Sequence, residues 1–209
     1  MRKDCLTLKK DDSIKTALEL LNKHHLRHIT IVDDDNHVIG IVSDRDIRDA
    51  SPSIFTKNIN FEELENPLEK IMTTNVITVH PLDFVEEVSA IFYEKEIACL
   101  PVTKDGKLVG VITEKDMLHT LVQLTGANQP GSQIEIKVRN VAGMLTKVTS
   151  VIGWRNLNIH SVLVYPDPKD ANFKILVFRI QTMNPMLVID DLKKEGYSVL
   201  WPNLPGMGK

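Results

Sequence analysis

Gly110-Val-Ile-Thr-Glu-Lys-Asp116 is the stretch that decides the fold, because the chain carries it twice. Its other copy is Gly40-Ile-Val-Ser-Asp-Arg-Asp46. In each copy, two β-branched apolar residues favour a buried strand. Ser43 or Thr113 then suits the N-cap of a helix, where the hydroxyl accepts a hydrogen bond from a backbone N–H of the first turn. Asp46 and Asp116 follow at the spacing of a capping box. Each copy therefore predicts a strand that leads directly into a capped helix.

This spacing supports two interpretations. In the first, the paired hydroxyl and carboxylate only cap two helices. In the second, they form a polar binding site together with the N–H groups at the positive end of a helix. Such a site can bind a phosphate while the carboxylate accepts hydrogen bonds from a ribose diol. The duplication of the motif favours the second interpretation.

The duplication extends beyond this motif, since residues 1–50 align with residues 72–120. Each copy predicts the order strand, helix, strand, turn, strand, helix, because apolar residues recur first at helical spacing and then in β-branched runs around a turn. Asp83 is predicted to cap the first helix of the second copy, with Glu86 completing a capping box. A unit of about 50 residues buries only a small core alone, so we expect the two copies to pack together.

The remainder of the chain follows a different pattern. The stretch from Thr125 to Ser132 is a polar linker rich in Gly and Pro. Beyond it, the pattern predicts the β-α-β-β-α-β order of a ferredoxin-like fold, with Asn184-Pro185 at the start of the last helix and Gly196 at its end. The predicted fold class is α/β, of the α+β kind. The predicted domains are a first repeat over 1–55, a connecting segment over 56–71, a second repeat over 72–124, a linker over 125–132 and a C-terminal domain over 133–209.

The composition narrows the possible functions. A formal net charge of −3 indicates no general surface for nucleic acid or for an anionic membrane. No apolar run approaches the roughly 18 residues that span a bilayer, and the N-terminus lacks the apolar core of a signal peptide. Cys5 and Cys99 lie at unrelated spacing, which predicts thiols rather than a disulfide and fits a reducing compartment. We expect a cytoplasmic protein with neither nucleic-acid nor membrane partners.

The repeats resemble tandem CBS domains, which pair to form a Bateman module. The resemblance rests on the strand starts Thr7-Leu8 and Thr78-Val79, on the segments Arg27-His-Ile29 and Cys99-Leu-Pro101, and on the duplicated motif. It implies two clefts that bind an adenosine compound (AMP, ADP, ATP or S-adenosylmethionine) as a regulatory ligand. The resemblance assigns Asp46 and Asp116 to the riboses and Ser43 and Thr113 to phosphate. The other residues that it assigns to the nucleotide are Thr7, Arg27, His28, Ile29, Arg45, Thr78, Cys99, Leu100, Pro101 and Lys115.

The C-terminal domain resembles an ACT domain, a small regulatory fold that often binds an amino acid between copies. The loop Asn140-Val-Ala-Gly-Met-Leu145 keeps Gly143 and Leu145 of the usual Asp-x-Pro-Gly-x-Leu pattern but lacks its Asp and its Pro. The resemblance implies an amino-acid site at Asn140, Gly143, Met144 and Leu145. The alternative is a domain that only dimerises through its sheet.

The order CBS–CBS–ACT is similar to that of AcuB-type proteins, which are associated with acetoin utilisation. The similarity includes Ser51-Pro-Ser-Ile-Phe55, Gln129-Pro-Gly-Ser132 and Ser161-Val-Leu-Val-Tyr-Pro166. It implies a homodimer that regulates a protein target in acetoin or related carbon metabolism.

Catalytic chemistry is not expected. The sequence offers no nucleophile with a base and an orienting group, no P-loop and no dinucleotide fingerprint, so we predict neither an enzyme nor a catalytic cofactor. His24 and His28 have the spacing of a metal pair, but the end of a helix should separate them, and no metal is expected. Two alternatives to the nucleotide sensor stay open. They are a constitutive homodimeric scaffold with empty clefts and a sensor of amino acids through the C-terminal domain.

Overall fold

The computed structural model describes residue 1, residues 3–50 and residues 61–202, and these form two compact units, Met1–Met117 and Leu118–Lys209. Part of the predicted connecting segment, and with it the stretch from Ser51 to Phe55, lies outside the described residues.

The first repeat forms a three-stranded sheet with two helices. Strand β1 is parallel to β2, and β2 is antiparallel to β3, which runs directly into α2. Helix α1 turns Ile14, Ala17 and Leu21 into the core, as the helical spacing predicts. The elements are β1 (Thr7–Leu8), α1 (Ile14–His24), β2 (His28–Val32), β3 (Val38–Ser43) and α2 (Asp44–Ala50).

The second repeat keeps this order, but its first strand is reduced to a single bridge. Val79 pairs in parallel with Val102, in the place where β1 pairs with β2. Val88 and Phe92 pack from the helix onto Leu100 and Val102 of the hairpin. The elements are α3 (Val85–Lys95), β4 (Cys99–Lys104), β5 (Lys107–Thr113) and α4 (Glu114–Thr125).

The prediction that Asp83 caps α3 is wrong. Phe84 occupies the N-cap and provides no side-chain hydrogen bond. The Asp83 carboxylate instead accepts from the His80 N–H at 2.7 Å, and the equivalent Asp12 accepts from the Lys9 N–H at 2.7 Å. In both copies the Asp therefore closes the turn before the helix, and capping falls to the next residue, which can cap only in the first copy, where it is Ser.

The two repeats contact each other through a hairpin turn. The Asn36 Nδ2 group donates to the Leu108 carbonyl at 3.0 Å, and the Leu108 N–H donates to the Asn36 carbonyl at 2.9 Å. The described part of the connecting segment contains two 3₁₀ helices, Phe61–Glu65 and Leu68–Lys70. Leu68 is fully buried in the core of the first repeat. The expected packing of the two copies against each other is confirmed.

The C-terminal unit has the predicted βαββαβ order, in one antiparallel sheet arranged β7-β8-β6-β9. Helices α5 and α6 pack their buried residues against one face, around Phe178. Gly196 follows α6 with φ 83°, and the Tyr197 N–H donates to the Leu192 carbonyl at 3.0 Å, so the predicted glycine end is confirmed. The elements are β6 (Ser132–Arg139), α5 (Met144–Gly153), β7 (Ile159–Pro166), β8 (Phe173–Ile180), α6 (Met186–Lys194) and β9 (Ser198–Trp201).

Candidate functional site

Both copies of the duplicated motif fold into the same hydrogen-bonded box. Asp46 Oδ2 accepts from the Ser43 N–H at 2.7 Å and from the Ser43 hydroxyl at 2.7 Å, while Ser43 Oγ accepts from the Asp46 N–H at 3.2 Å. Thr113 and Asp116 repeat these bonds at 2.9, 2.7 and 3.3 Å. The capping interpretation is therefore confirmed in both copies. The box is compatible with a bound ligand, since a carboxylate has about four acceptor positions and the box bonds to the hydroxyl residue use only some of them.

Equivalent backbone bonds place the start of each motif helix beside the hairpin of its repeat. The Asp44 N–H donates to the Arg27 carbonyl at 2.9 Å, and the Glu114 N–H donates to the Ala98 carbonyl at 3.3 Å. Each bond joins the first residue of a helix to the residue just before a strand. The strand start and the motif are consequently adjacent in each copy.

Two cavities lie in the unit Met1–Met117 between the repeats. We name them after the motif residue that each contains. The Thr113 cleft has a volume of about 480 Å³ and the Ser43 cleft about 640 Å³. Both volumes fall within the range of roughly 300–1,000 Å³ typical of small-molecule and cofactor sites.

The two clefts are built from equivalent parts of the repeat. The Thr113 cleft takes residues 113–115 from the second copy and residues 25–28 from the first. The Ser43 cleft takes residues 43–46 from the first copy and residues 96–99 from the second. Each cleft therefore combines the motif of one copy with the helix-to-strand connection of the other, and neither copy forms a cleft alone.

Four residues line both clefts, and we call them the shared wall. They are Arg27, His28, Ala98 and Cys99. Arg27 and Ala98 occupy equivalent positions in the two copies, as do His28 and Cys99. The shared wall is thus the place where the first and second copies of the repeat meet.

Each cleft is also lined by a residue with a left-handed backbone. His25 and Glu96 follow α1 and α3, and both have φ 52°. This conformation costs an L-residue roughly 1–2 kcal/mol, and Gly is the residue that usually occupies it at a helix end. Backbone strain of this kind is concentrated at functional sites, so both side chains are candidates for ligand contact.

The environment of His28 favours the neutral imidazole. Burial is the largest cause and lowers the pKa of His28 below the ordinary histidine value. The charges of Asp44, Asp46 and Glu114 act in the opposite direction, and Arg27 adds to the lowering. A neutral His28 presents one ring donor and one ring acceptor to a ligand.

The structure brings most of the predicted nucleotide residues to the cleft walls. Asp116 lies in the box one residue beyond the lining segment of α4, and Ile29, Leu100 and Pro101 are buried in β2 and β4. Thr7 lies in β1, and Thr78 is exposed just before the Val79 bridge. The predicted residues that line a cleft are Arg27, His28, Ser43, Arg45, Asp46, Cys99, Thr113 and Lys115.

Several residues that line a cleft from the opposite copy are not predicted by the sequence. Residues 4–6 line the Thr113 cleft, and Thr73 lines the Ser43 cleft. His25 and Glu96, which also line the clefts, are not predicted either. Both residues directly follow a helix at aligned positions of the two copies, and this shared position is the signal in the sequence that could have indicated them.

His24 and His28 do not lie on one helix, because α1 ends at His24 and β2 begins at His28. Within residues 1, 3–50 and 61–202, no group of three or more His, Cys, Asp or Glu side chains is arranged to hold a metal ion. The same part of the chain contains no helix that is both long and apolar enough to cross a membrane. Cys5 and Cys99 are both thiols, and both line the Thr113 cleft.

The candidate amino-acid residues form one loop and helix start in the C-terminal unit. The Asn140 N–H donates to the Asn172 carbonyl at 2.7 Å, which holds this loop against the β7–β8 connection. Gly143 precedes α5 with φ 83°, a conformation that favours Gly. Met144 begins α5, and Leu145 is exposed.

The two repeats form one paired module with two clefts between them, and comparison with known proteins identifies its family. Residues 1–53 and 68–123 each match the CBS domain, and together they make up more than half of the chain. A CBS domain-containing protein of Dictyostelium discoideum is 31% identical over 63% of this chain and 94% of its own length. The chain therefore belongs to the CBS domain family.

Some similar proteins are enzymes, but the match covers only a small part of each. Homoserine O-acetyltransferase of Methanohalobium evestigatum is 33% identical over 56% of this chain, which spans only 22% of that enzyme. Inosine-5′-monophosphate dehydrogenase of Aquifex aeolicus is 32% identical, again over 22% of the enzyme. The similarity to these enzymes is confined to the CBS region.

Solved structures of CBS pairs have the same fold. A candidate acetoin utilization protein (AcuB) from Vibrio cholerae is 30% identical with a TM-score of 0.52, and the match covers 62% of this chain and 94% of that one. The CBS pair of protein MJ0100, solved with 5′-methylthioadenosine and S-adenosyl-L-methionine, is 28% identical with a TM-score of 0.51 over the same shares. CBSX2, solved with AMP, is 25% identical with a TM-score of 0.50 over 58% of this chain and 90% of its own.

Proposed function

We propose that this protein is a regulatory sensor that binds an adenosine compound in the Ser43 cleft and the Thr113 cleft and catalyses no reaction. The observation that carries the proposal is the pair of equivalent clefts, each with a volume typical of small-molecule sites and each lined by the hydroxyl residue of a hydroxyl–carboxylate box. Structures of related CBS pairs with AMP, S-adenosyl-L-methionine and 5′-methylthioadenosine support the ligand class.

The chemistry of the walls suits such a ligand. Asp46 and Asp116 would accept hydrogen bonds from a ribose diol, as charge-assisted bonds that are roughly twice as strong as neutral ones. Ser43 and Thr113 would meet the phosphate, with Arg45 and Lys115 as its counterions. The other nucleotide residues proposed from the resemblance are Thr7, Arg27, His28, Ile29, Thr78, Cys99, Leu100 and Pro101.

The ligand would act by changing the balance between two arrangements of the protein. A ligand shifts such an equilibrium only by its difference in affinity for the two states. Since each cleft combines residues of both copies, a bound adenosine compound would contact both copies and stabilise their packing against each other. We propose that the protein is a homodimer and that it passes this change to a protein target in acetoin or related carbon metabolism. The C-terminal unit would be an ACT domain that binds an amino acid or joins the two subunits.

The test is a thermal-shift panel with AMP, ADP, ATP, NADH and S-adenosyl-L-methionine on wild type, Asp46→Asn and Asp116→Asn. Asp49→Asn is the matched control, because Asp49 is exposed on the same helix as Asp46 and does not line a cleft. A ligand at a hundred times its Kd stabilises the folded state by about 2.7 kcal/mol. We expect at least one adenosine compound to stabilise wild type and Asp49→Asn, and to stabilise both box variants less. No shift with any compound would overturn the proposal.

One observation favours a constitutive scaffold with empty clefts. The hydroxyl and carboxylate of each box already bond to each other, so each box has a structural role without a ligand. A scaffold would show no thermal shift, and its binding to the target would be independent of nucleotide.

A further inference from the structure

The shared wall is asymmetric in charge. At its two pairs of equivalent positions, the first copy supplies Arg27 and His28, while the second supplies Ala98 and Cys99. Among the described residues, this wall therefore offers one guanidinium to two clefts. The corresponding position in the second copy carries only a methyl group.

Both acidic and basic groups surround the shared wall. Asp44 lines the Ser43 cleft and Glu114 lines the Thr113 cleft, and the charges of both act on His28. Arg48 also lines the Ser43 cleft, but its Nη2 lies 3.4 Å from Asp44 Oδ2 and its Nε donates to the Asp44 carbonyl. A polyphosphate that enters either cleft therefore meets carboxylates as well as cations.

Each cleft also has a cation at an equivalent position, Arg45 in one and Lys115 in the other. Together with the hydroxyl of the box, one cation suits a monophosphate. A triphosphate carries a larger charge and needs further donors, which Arg27 can supply with its fork of N–H groups. Arg27 lines both clefts but carries a single positive charge. Two bound triphosphates would therefore share this charge, and their own charges would repel each other across the wall.

We infer that the two clefts compete for Arg27, so that one bound triphosphate weakens the binding of a second, whereas uncharged adenosine ligands fill both clefts independently. This inference rests on the proposed function, since it assigns charge selectivity to the same two clefts. Arg27 is then a residue that determines specificity, and Ala98 is the position that makes the pair unequal.

The test is calorimetric titration of the full chain with 5′-methylthioadenosine and, separately, with ATP. We expect two equal sites per chain for 5′-methylthioadenosine. For ATP we expect one site, with a second at least about tenfold weaker, because a charge-assisted contact of ordinary strength corresponds to that ratio. Two equal ATP sites would overturn the inference and leave the proposed function standing. No binding of either compound would overturn both.

Substitutions on the shared wall provide the second part of the test. Ala98→Arg should strengthen the weak ATP site by about tenfold, and Ala98→Gln, the uncharged control, should not. Arg27→Gln should weaken the strong ATP site by a larger factor than it weakens the binding of 5′-methylthioadenosine, which carries no phosphate for the guanidinium to meet. If Ala98→Arg and Ala98→Gln bind ATP alike, or if Arg27→Gln weakens both ligands equally, the inference is wrong.

Discussion

His28 is the titratable residue at the centre of the two clefts. Its burial lowers its pKa, and its position on the shared wall brings it near carboxylates of both motif helices. The sequence shows a histidine beside Arg27 at the start of a strand, but burial and neighbouring charge belong to the packed pair. For this reason the protonation state of His28 is a property of the structure and could not be predicted from the sequence.

The free energy of unfolding should decrease as the pH is lowered through the titration range of His28. Its folded-state pKa lies below the unfolded value of about 6.5, so the unfolded chain binds more protons as the pH decreases through that value. The free energy of unfolding should therefore fall more for wild type than for His28→Gln between pH 7.5 and 5.5. Urea unfolding of both proteins at these two pH values measures the difference. An equal loss in the two proteins would contradict the account.

The left-handed residues His25 and Glu96 offer a second test at this scale. His25→Gly or Glu96→Gly should raise the free energy of unfolding by about 1 kcal/mol, because Gly adopts this backbone without strain. Lys23→Gly, in the last turn of α1, is the matched control and should lower it by roughly 0.5–1 kcal/mol. The measurement is urea unfolding without ligand. A loss of stability in His25→Gly would show that the imidazole has a structural role.

At the scale of elements, the sequence predicts most of the helices and strands correctly and misses details that depend on a single residue. Both helices of the C-terminal unit follow from their spacing and their Gly or Asn-Pro boundaries. The capping of α3 does not, because Asp83 resembles an N-cap in sequence but bonds back to His80. The reduction of the first strand of the second copy to a single bridge at Val79 is likewise not predicted by the sequence.

Two glycines of the C-terminal unit should respond in opposite directions to alanine. A Cβ on Gly131, just before β6, would lie 2.5 Å from the Ile180 backbone carbonyl, so Gly131→Ala should lower the free energy of unfolding by at least about 1 kcal/mol. A Cβ on Gly153, at the end of α5, meets nothing within 4 Å, so Gly153→Ala should raise it by roughly 0.5–1 kcal/mol. Thermal and urea unfolding of the two variants compare them directly. Equal effects would contradict the described backbone at Gly131.

At the scale of the whole molecule, the repeat is the feature that sequence predicts best. The duplicated motif, the mixed α/β class and the change of pattern beyond Ser132 all follow from residue spacing. The composition of each cleft does not, because it depends on which part of one copy faces the motif of the other. Residues 25–28 and 96–99 join the opposite motif only after the copies have packed.

The decisive measurement is calorimetric titration with AMP, which counts the binding sites in wild type, Asp46→Asn, Asp116→Asn and the double variant. We expect two sites in wild type, one in each single variant and none in the double variant, over the concentration range in which wild type saturates. This follows because each box would hold one ribose, and loss of a charge-assisted bond costs at least about tenfold in affinity. Binding of AMP that persists unchanged in the double variant, or no binding to wild type, would contradict the account.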